Sequence, residues 1–435
     1  MQIKNRGLIY SFLGVFLLSA CGGEENADSE SEEQDQSSDA DQIELRVAWW
    51  GGQERHDQTL EMIELYEEKN PDVTIEAEYS GFDGYFDQLS TQFAAGNAPD
   101  IIQYGGNLND FVSRDVVLPL DDYVGEELDL SNHDEAMVEA GTFDDQFYGV
   151  TLGTNAWGVL INETLFEEAN VSLPGEEWTW DDFDQTAAEL TEALDGVYGT
   201  EYFDHNGFGI FVDQRGKILH EDGELGINQE DVEAWFSHWE AIRDHGGVVL
   251  PEIQAASSTT PEQSMIVQGD VAMQLIPSNL YGAHNNATED DLAFHIHPYN
   301  EEGRHGVSLR PSQFMAGYSK TEHPQEVAEF LDFMVNDPEA TEILGSNRGV
   351  PVNAEVRANL IESASEEDKV MYEYVDWVSS TSDSPYVPNL PGYNETEALF
   401  QEMSESIAFD QISIEEGAAE YWQSLQEIVE NNTED

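Results

Sequence analysis

The chain of 435 residues contains very little positive charge and a single cysteine. Its 15 lysines and arginines face 91 aspartates and glutamates, and the formal net charge is −76. Nucleic acids and anionic membrane surfaces would be repelled, so neither is a predicted partner. The acidic residues are spread along the chain, which is typical of a solvated acidic surface suited to high salt. A calcium-binding surface is the alternative, but the sequence has no loop of EF-hand spacing. One cysteine excludes an intrachain disulfide.

Long apolar runs are missing after the N-terminus, so no transmembrane helix is predicted. At the N-terminus, two basic residues precede the apolar segment 8–18, which has the length of a signal-peptide core. The following LSAC at 18–21 resembles a bacterial lipobox, in which the cysteine becomes the lipidated first residue. We therefore predict a signal peptide at 1–20 and an extracytoplasmic protein anchored to the membrane only through a lipid on Cys21.

Residues 21–42 form an acidic, serine-rich segment without aromatic side chains. Such a composition cannot bury enough apolar surface to fold, and it predicts a flexible tether after the lipidated cysteine. The remaining chain of about 390 residues exceeds one typical hydrophobic core and predicts about two domains.

The sequence also lacks the common catalytic motifs: a nucleophile elbow, a phosphate-binding glycine loop and a paired-histidine zinc helix are all absent. His295, His297 and His305 suggest a metal site, but histidines that alternate along a strand are more often surface residues. Carboxylate pairs for glycoside hydrolysis can be drawn anywhere in so acidic a chain, so no pair stands out. We predict no cofactor and no metal.

The stretch 44–52, ELRVAWWGG, predicts a first strand that ends in two tryptophans and two glycines. Helical periodicity follows over 59–68, and further strands are predicted at 73–79 and 99–104. This alternation indicates an α/β fold, in which ligands bind beyond the carboxyl ends of the strands. Trp49 and Trp50 lie at that end. Side chains alternate between the faces of a strand, so one of them need only fill the core.

Later segments predict a hairpin turn at Asp144-Asp145, a helix capped by Thr179 or Asp181, and an apolar helix face. The residues of that face, Trp235, Phe236 and Trp239, are interpreted as core. Residues 153–157, GTNAW, interrupt a strand with small and polar residues. A strand that crosses between two domains needs such a joint, and 277–282 is interpreted as a return crossing.

Cations are rare enough to be informative. Arg55, Arg310 and Arg348 each lie beside a predicted turn. A guanidinium binds carboxylates or paired hydroxyls with two parallel hydrogen bonds, so each arginine is a candidate ligand contact. The alternative for all three is an ion pair with one of the many acidic residues.

Several segments together resemble the family 1 extracellular solute-binding proteins of carbohydrate ABC transporters. The likeness extends from about residue 43 into the C-terminal helices and is carried by the order of these segments: WWGGQERHDQTLEMIELYEEKNPDV (49–73), SGFDGYFDQLSTQFAAGNAPDII (80–102), LPLDDYV (118–124), YGVTLGTNAWGVLINETLFEEANV (148–171), WTWDDF (178–183), QGDVAM (268–273) and FLDFMVNDPEATEILGSNRGVP (330–351). The WWG segment with Arg55-His56 and the SGFDGY loop look most like lipoproteins that bind pectin-derived oligosaccharides, including the rhamnogalacturonan type. The family's aromatic before Asn162 is absent here, because Leu160 and Ile161 take its place.

The resemblance implies a two-lobed periplasmic-binding-protein-like fold with a hinge of crossing strands and a central ligand cleft. The N-lobe would comprise 43–153 and 286–337, and the C-lobe 154–285 and 338–435. With the three arginines, the implied ligand-binding residues are Trp49, Trp50, Asp83, Tyr85, Tyr104, Asn107, Asn155, Trp157, Asn279, Tyr281 and Tyr393.

The favoured hypothesis is a monomeric receptor that captures an oligosaccharide and delivers it to an ABC transporter permease. A secreted glycoside-active enzyme with a carboxylate pair in the same cleft is the alternative. A purely structural acidic surface protein is the third hypothesis, and it predicts no ligand-induced thermal shift.

Overall fold

The computed structural model describes residues 42–433 with gaps at 176, 222–223, 258–259, 301–303, 383 and 389–391. The predicted signal peptide, Cys21 and the predicted tether up to residue 41 lie outside these residues. The described residues fall within one compact unit, Gln42–Asp435. None of their helices combines the length and apolar character that a membrane crossing requires.

The strands of the described residues, numbered in chain order, are β1 (Ile43–Trp50), β2 (Val73–Ser80), β3 (Ile101–Tyr104), β4 (Thr142–Phe143), β5 (Gln146–Phe147), β6 (Gly149–Asn155), β7 (Trp157–Asn162), β8 (Tyr198–Thr200), β9 (His220–Glu221), β10 (Glu224–Leu225), β11 (Val271–Pro277), β12 (Leu292–His295) and β13 (Arg310–Gly317).

The α-helices are α1 (Gln53–Lys69), α2 (Tyr85–Ala95), α3 (Leu108–Val112), α4 (Glu135–Glu139), α5 (Glu163–Ala169), α6 (Trp180–Ala193), α7 (Asp204–Gln214), α8 (Gln229–Asp244), α9 (Pro251–Gln254), α10 (Met265–Gln268), α11 (Tyr281–Asn285), α12 (Pro324–Asn336), α13 (Pro338–Leu344), α14 (Ala354–Leu360), α15 (Glu366–Thr381), α16 (Tyr393–Ala408) and α17 (Ile414–Thr433). Short 3₁₀ turns occur at Asp121–Tyr123, Pro261–Gln263 and Ser278–Leu280.

The first sheet has five strands in the order β2-β1-β3-β13-β6. β1 is parallel to β2 and β3, and β13 is antiparallel to β3 and β6. Side chains of β1 alternate between two hydrophobic clusters, with Val47 and Trp49 in one and Ala48 and Trp50 in the other. The adjacent tryptophans therefore face opposite sides of the sheet, as the strand period of two predicts.

The second sheet has four strands in the order β12-β7-β11-β8. β7 is antiparallel to both of its neighbours, and β8 is parallel to β11. Trp235, Phe236 and Trp239 of α8 are fully buried, which confirms their interpretation as core.

The chain passes from the first sheet to the second at Ala156, between β6 and β7. It returns to the first sheet between β12 and β13, and a third segment, residues 345–353, leads from α13 to the C-terminal helices. The predicted lobe ranges differ from the sheets at two places. β12 pairs in the second sheet, although it lies in the predicted N-lobe range. α13 packs on α1 and α12, although it lies in the predicted C-lobe range. The division into lobes otherwise stays a prediction.

Two local predictions are confirmed. Asp144 and Asp145 have φ of 50° and 62° at the turn of the β4–β5 hairpin, a conformation that aspartate tolerates better than most residues. Thr179 caps α6, because its side chain accepts the backbone N–H of Asp182, whose carboxylate accepts that of Thr179. The predicted α/β class is confirmed by the two sheets and their covering helices.

Candidate functional site

Trp49 lies inside the first sheet's core rather than at a ligand surface. It has no exposed area, and its ring stacks on Tyr79 with 5.0 Å between centroids. Its indole Nε1 donates to His56 Nδ1 at 3.1 Å, so this imidazole is neutral at Nδ1. Burial lowers the pKa of His56, and nearby Arg55 and Arg348 lower it further. The expected ligand contact at Trp49 is therefore replaced by a buried contact between α1 and β1.

Three other predicted aromatic contacts are also buried. Trp50 packs against Tyr85 at 5.1 Å between ring centroids. The Tyr85 hydroxyl lies 3.0 Å from the carbonyl of Gln103, and burial raises its pKa well above the usual value. Tyr104 has no exposed surface, and its hydroxyl has no hydrogen-bond partner among the described residues. The exposed ring at this edge is Phe82, which is 60% exposed and packs edge-on against Trp50.

The polar residues predicted at the same edge lie nearer solvent. Asp83 is exposed. Asn107 is half-buried, and its Oδ1 accepts the backbone N–H of Gly105 at 3.2 Å. They therefore stand at the rim of the sheet, apart from the buried rings of Trp49 and Tyr104.

A cleft opens where the chain crosses between the sheets. Trp157 is half-buried at the start of β7, and its carbonyl accepts the Tyr374 hydroxyl at 2.6 Å. Asn155, the last residue of β6, is paired in register with Arg310 of β13. The buried Oδ1 of Asn155 has no hydrogen-bond partner among the described residues. Two predicted residues, Trp157 and Arg310, thus meet at one opening.

This crossing cleft has a volume of about 830 Å³, within the range of small-molecule sites. Its lining comes from β7, α7, the segments before β9 and β13, and the segment after α15: Trp157, His205, Asn206, Gly209, Ile210, Asp213, Lys217, Ile218, Leu219, His220, Gly306, Val307, Ser308, Arg310, Pro385, Val387 and Pro388. Apolar walls and a few polar groups suit a ligand with both C–H faces and hydroxyls.

The charges around the cleft are mostly neutral or positive, in contrast to the rest of the chain. Burial and the nearby Arg310 lower the pKa of His205 to about 4, so this imidazole is neutral at pH 7. His220 donates from Nε2 to the Pro388 carbonyl at 2.6 Å. The carboxylate in the described lining, Asp213, accepts from Arg304 at 3.3 Å. The crossing cleft therefore offers hydrogen-bond donors rather than open carboxylates.

Lys217, the other strong cation in the cleft, is engaged by Asp231. Its Nζ lies 2.6 Å from each oxygen of that buried carboxylate. Arg310 is thus the lining cation for which the described residues print no ion pair with a carboxylate, although it interacts with other groups.

Three further predicted residues do not line the crossing cleft. Asn279 is exposed on a 3₁₀ turn. Tyr281 is buried, donates from its hydroxyl to the Leu292 carbonyl at 3.1 Å, and packs on Phe294. Tyr393 begins α16, but its side chain lies outside what the structure describes.

Arg55 and Arg348 were expected to bind ligand or to pair with acids. Instead, both contact neutral groups of the first sheet and of residues 345–349. Arg55 donates to Asn347 Oδ1 at 2.8 Å and to Gln313 Oε1 at 3.2 Å. Arg348 is 5% exposed and donates to Gln103 Oε1 at 3.1 Å. Within the described residues neither arginine has an ion pair with a carboxylate.

The histidines considered for a metal are occupied otherwise. His295 and His297 lie within 3.0 Å of neighbouring backbone carbonyls, and the ring of His305 packs edge-on against Trp377. In the described part of the chain, no three His, Cys, Asp or Glu residues form a group that could hold a metal ion.

A second pocket shares His205 with the crossing cleft and was not predicted. It lies between α8, α9 and α16 and includes Tyr202, Asp204, Glu397 and Phe409 in its lining. Burial raises the pKa of Asp204, and burial with nearby Asp204 raises that of Glu397. This pocket is thus poorer in positive charge than the crossing cleft.

Sequence reasoning missed His205, Lys217, His220 and Pro388 of the crossing cleft. They lie on α7 and on loops, where no periodic pattern marks a site. The scarcity of lysine was the signal that could have drawn attention to Lys217.

The architecture is that of two-lobed solute-binding proteins. An extracellular solute-binding protein of family 1 from Alicyclobacillus acidocaldarius superposes with a TM-score of 0.80 at 24% identity, covering 89% of this chain and 98% of the other. An oligogalacturonide-binding protein from Yersinia enterocolitica gives a TM-score of 0.78 at 22% identity, covering 90% of this chain and all of the other. At these identities the similarity establishes the fold.

Sequence comparison establishes the family. Residues 52–341 match the family described as bacterial extracellular solute-binding protein, and the chain belongs to this family. A protein of Brucella abortus described as a binding protein is 24% identical over 392 residues, 85% of this chain and 89% of that protein. An uncharacterized lipoprotein of Streptomyces antibioticus is 29% identical over 147 residues, 33% of this chain and 32% of that protein.

Proposed function

We propose that this protein binds an oligosaccharide in the crossing cleft and delivers it to an ABC transporter permease. The observation that carries the proposal is the meeting of Trp157 and Arg310 at the point where the chain passes between the sheets. An indole presents a flat apolar face to the C–H side of a sugar ring, and a guanidinium satisfies hydroxyls that lose water.

The similar structures support a carbohydrate ligand. The Yersinia enterocolitica protein is also known in complex with saturated digalacturonic acid, with a TM-score of 0.70. An ABC substrate-binding protein of Listeria monocytogenes in complex with cycloalternan has a TM-score of 0.69. One of these ligands carries carboxylates and the other is a neutral glucan ring, so they bracket the charge of the ligand proposed here.

An acidic, pectin-derived ligand is the narrower version of the proposal. The net charge of −76 opposes the approach of an anion, and salt screens that repulsion. Arg310 would then bind the ligand's carboxylate, and the neutral His205 beside it would add a hydrogen bond. We expect added salt to speed capture of an acidic ligand and to leave capture of a neutral one almost unchanged.

Retention at the membrane is part of the same proposal. A lipid on Cys21, after removal of residues 1–20, would hold the receptor near its permease, and the acidic tether would let it move. The Streptomyces antibioticus relative is named as a lipoprotein, which supports this arrangement. Cys21→Ser should release the protein from cells into the medium, as fractionation would reveal.

Titration calorimetry against a panel of oligosaccharides tests the proposal. The panel should contain digalacturonic acid, longer oligogalacturonides and neutral oligosaccharides of similar length. Saturable binding of at least one sugar, with a matching rise in melting temperature, is expected. Flat traces for every sugar, with tight binding of an amino acid instead, would contradict it. No thermal shift with any solute would favour a structural acidic surface protein.

The glycoside-active alternative requires two carboxyl groups on either side of the scissile bond. The described lining of the crossing cleft contains Asp213, which Arg304 already engages. We therefore expect the bound sugar to be released unchanged. Appearance of new reducing ends on incubation with the protein would support the enzyme instead.

A further inference from the structure

Two arginines of the first sheet form part of a closed hydrogen-bond circuit. Arg55 and Gln103 both donate to the Trp50 carbonyl, at 3.4 and 3.3 Å. Arg348 Nε donates to Gln103 Oε1 at 3.1 Å, and Arg348 Nη2 donates to Thr59 Oγ1 at 2.8 Å. The Thr59 hydroxyl in turn donates to the Arg55 carbonyl at 2.6 Å. We call these five residues, Trp50, Arg55, Thr59, Gln103 and Arg348, the arginine ring.

The arginine ring carries two positive charges and, among the described residues, no negative one. Thr59 and Gln103 have no exposed surface, and Arg348 is 5% exposed. Burial, together with the nearby Arg55, lowers the pKa of Arg348 to about 9. An arginine keeps its proton at neutral pH, so the buried charge needs compensation from another ion.

Another buried arginine of the same chain shows what compensation looks like. Arg357 is 2% exposed, and its guanidinium lies 2.8 Å from Asp134 and 2.7 Å from Asp376. Those carboxylates raise its pKa despite the burial. Arg348, nine positions earlier, has the burial without the carboxylates.

One donor of Arg348 points to where compensation is needed. Its Nη1 is buried and has no hydrogen-bond partner among the described residues. Arg348 also borders a cavity of about 20 Å³, formed with Thr341, Leu344 and Gly345 among others. That is room for about one water-sized occupant.

We propose that a monatomic anion, such as chloride, binds at the arginine ring, held by Arg348 Nη1 and by the positive charge of Arg55. A monatomic ion fits because the buried ring is closed to a sugar carboxylate. The proposal does not depend on the sugar-binding function. The occupant would also strengthen the attachment of residues 345–350 to the first sheet, since Asn347 and Arg348 lie on that crossing segment.

Thermal unfolding without sugar tests this site. At equal ionic strength, the wild-type melting temperature should be about 2 °C higher in sodium chloride than in sodium gluconate, once chloride is about ten times its Kd. Arg348→Met should abolish the difference, and Arg55→Gln should reduce it. Arg114→Met, at an exposed arginine, should keep it.

Crystals of the wild-type protein grown in sodium bromide give a test that no variant's folding can obscure. An anomalous peak within hydrogen-bonding distance of Arg348 Nη1 is expected. Equal melting of the wild type in the two salts, or the lack of such a peak, overturns the proposal. Neither result bears on sugar binding, which calorimetry measures separately.

Discussion

The tryptophans at the end of β1 and the tryptophan at the start of β7 differ in access, although the sequence suggested similar roles. Trp49 is sealed between α1 and the first sheet, where His56 and Tyr79 cover it. Trp157 is half-buried and borders the crossing cleft. An aromatic residue at the end of an interior strand is covered by the helix that follows. One placed where the chain changes sheets remains accessible to a ligand.

Trp49→Ala gives the largest expected effect. Loss of a fully buried tryptophan should lower the free energy of unfolding by about 3–5 kcal/mol. The folded fraction should bind sugar as before, because Trp49 does not reach the cleft. Denaturant unfolding and calorimetry on the same sample measure both quantities. A loss of affinity at unchanged stability would reverse the assignment of the two tryptophans.

Trp157→Ala should act in the opposite sense. We expect affinity for the sugar to fall roughly tenfold to a hundredfold, because truncating a central aromatic contact typically removes more than about 1 kcal/mol. Stability should change much less than for Trp49→Ala, and Trp157→Phe should retain most of the binding. If Trp157→Ala binds normally while remaining folded, the crossing cleft is not the ligand site.

Arg310→Gln sharpens the comparison by ligand charge. A lost charge-assisted hydrogen bond should weaken an acidic oligosaccharide roughly tenfold and a neutral one little. Calorimetry with digalacturonic acid and with a neutral disaccharide distinguishes the two. Arg114→Gln, at an exposed arginine, serves as the control. Equal losses for both sugars would mean that Arg310 binds hydroxyls or orders the cleft.

The smallest effect is expected from the cleft histidine. The folded state lowers the pKa of His205 from 6.5 to about 4, so it takes up this proton less readily than the unfolded chain does. The stabilising contribution is therefore complete above about pH 6.5 and is lost as the pH falls towards 4. His205→Asn should make the loss of stability between these pH values shallower, as urea unfolding at several pH values can measure. An unchanged slope would contradict the burial of this imidazole.

Much of the fold was predictable because its elements carry local signals. The strands follow runs of apolar and β-branched residues, Thr179 caps a helix, and the apolar face of α8 fills the core. The order of motifs also indicated the family. These features depend on neighbours in sequence, which periodicity and capping rules describe.

The site was only partly predictable. Trp157 and Arg310 were identified, but His205 and Pro388 reach the cleft from segments without a pattern. The partners of Arg55 include Asn347, 292 positions away, so the choice between ligand, ion pair and neutral amide could not be made from local sequence. Scarcity of positive charge pointed to important arginines without showing their roles.

A crystal structure of the protein with its bound oligosaccharide tests the central claim most directly. The account predicts a sugar ring against the indole of Trp157, with Arg310 hydrogen-bonded to a hydroxyl or carboxylate of the same ligand. A sugar bound elsewhere, such as in the pocket lined by Tyr202 and Glu397, with the crossing cleft empty, would contradict it.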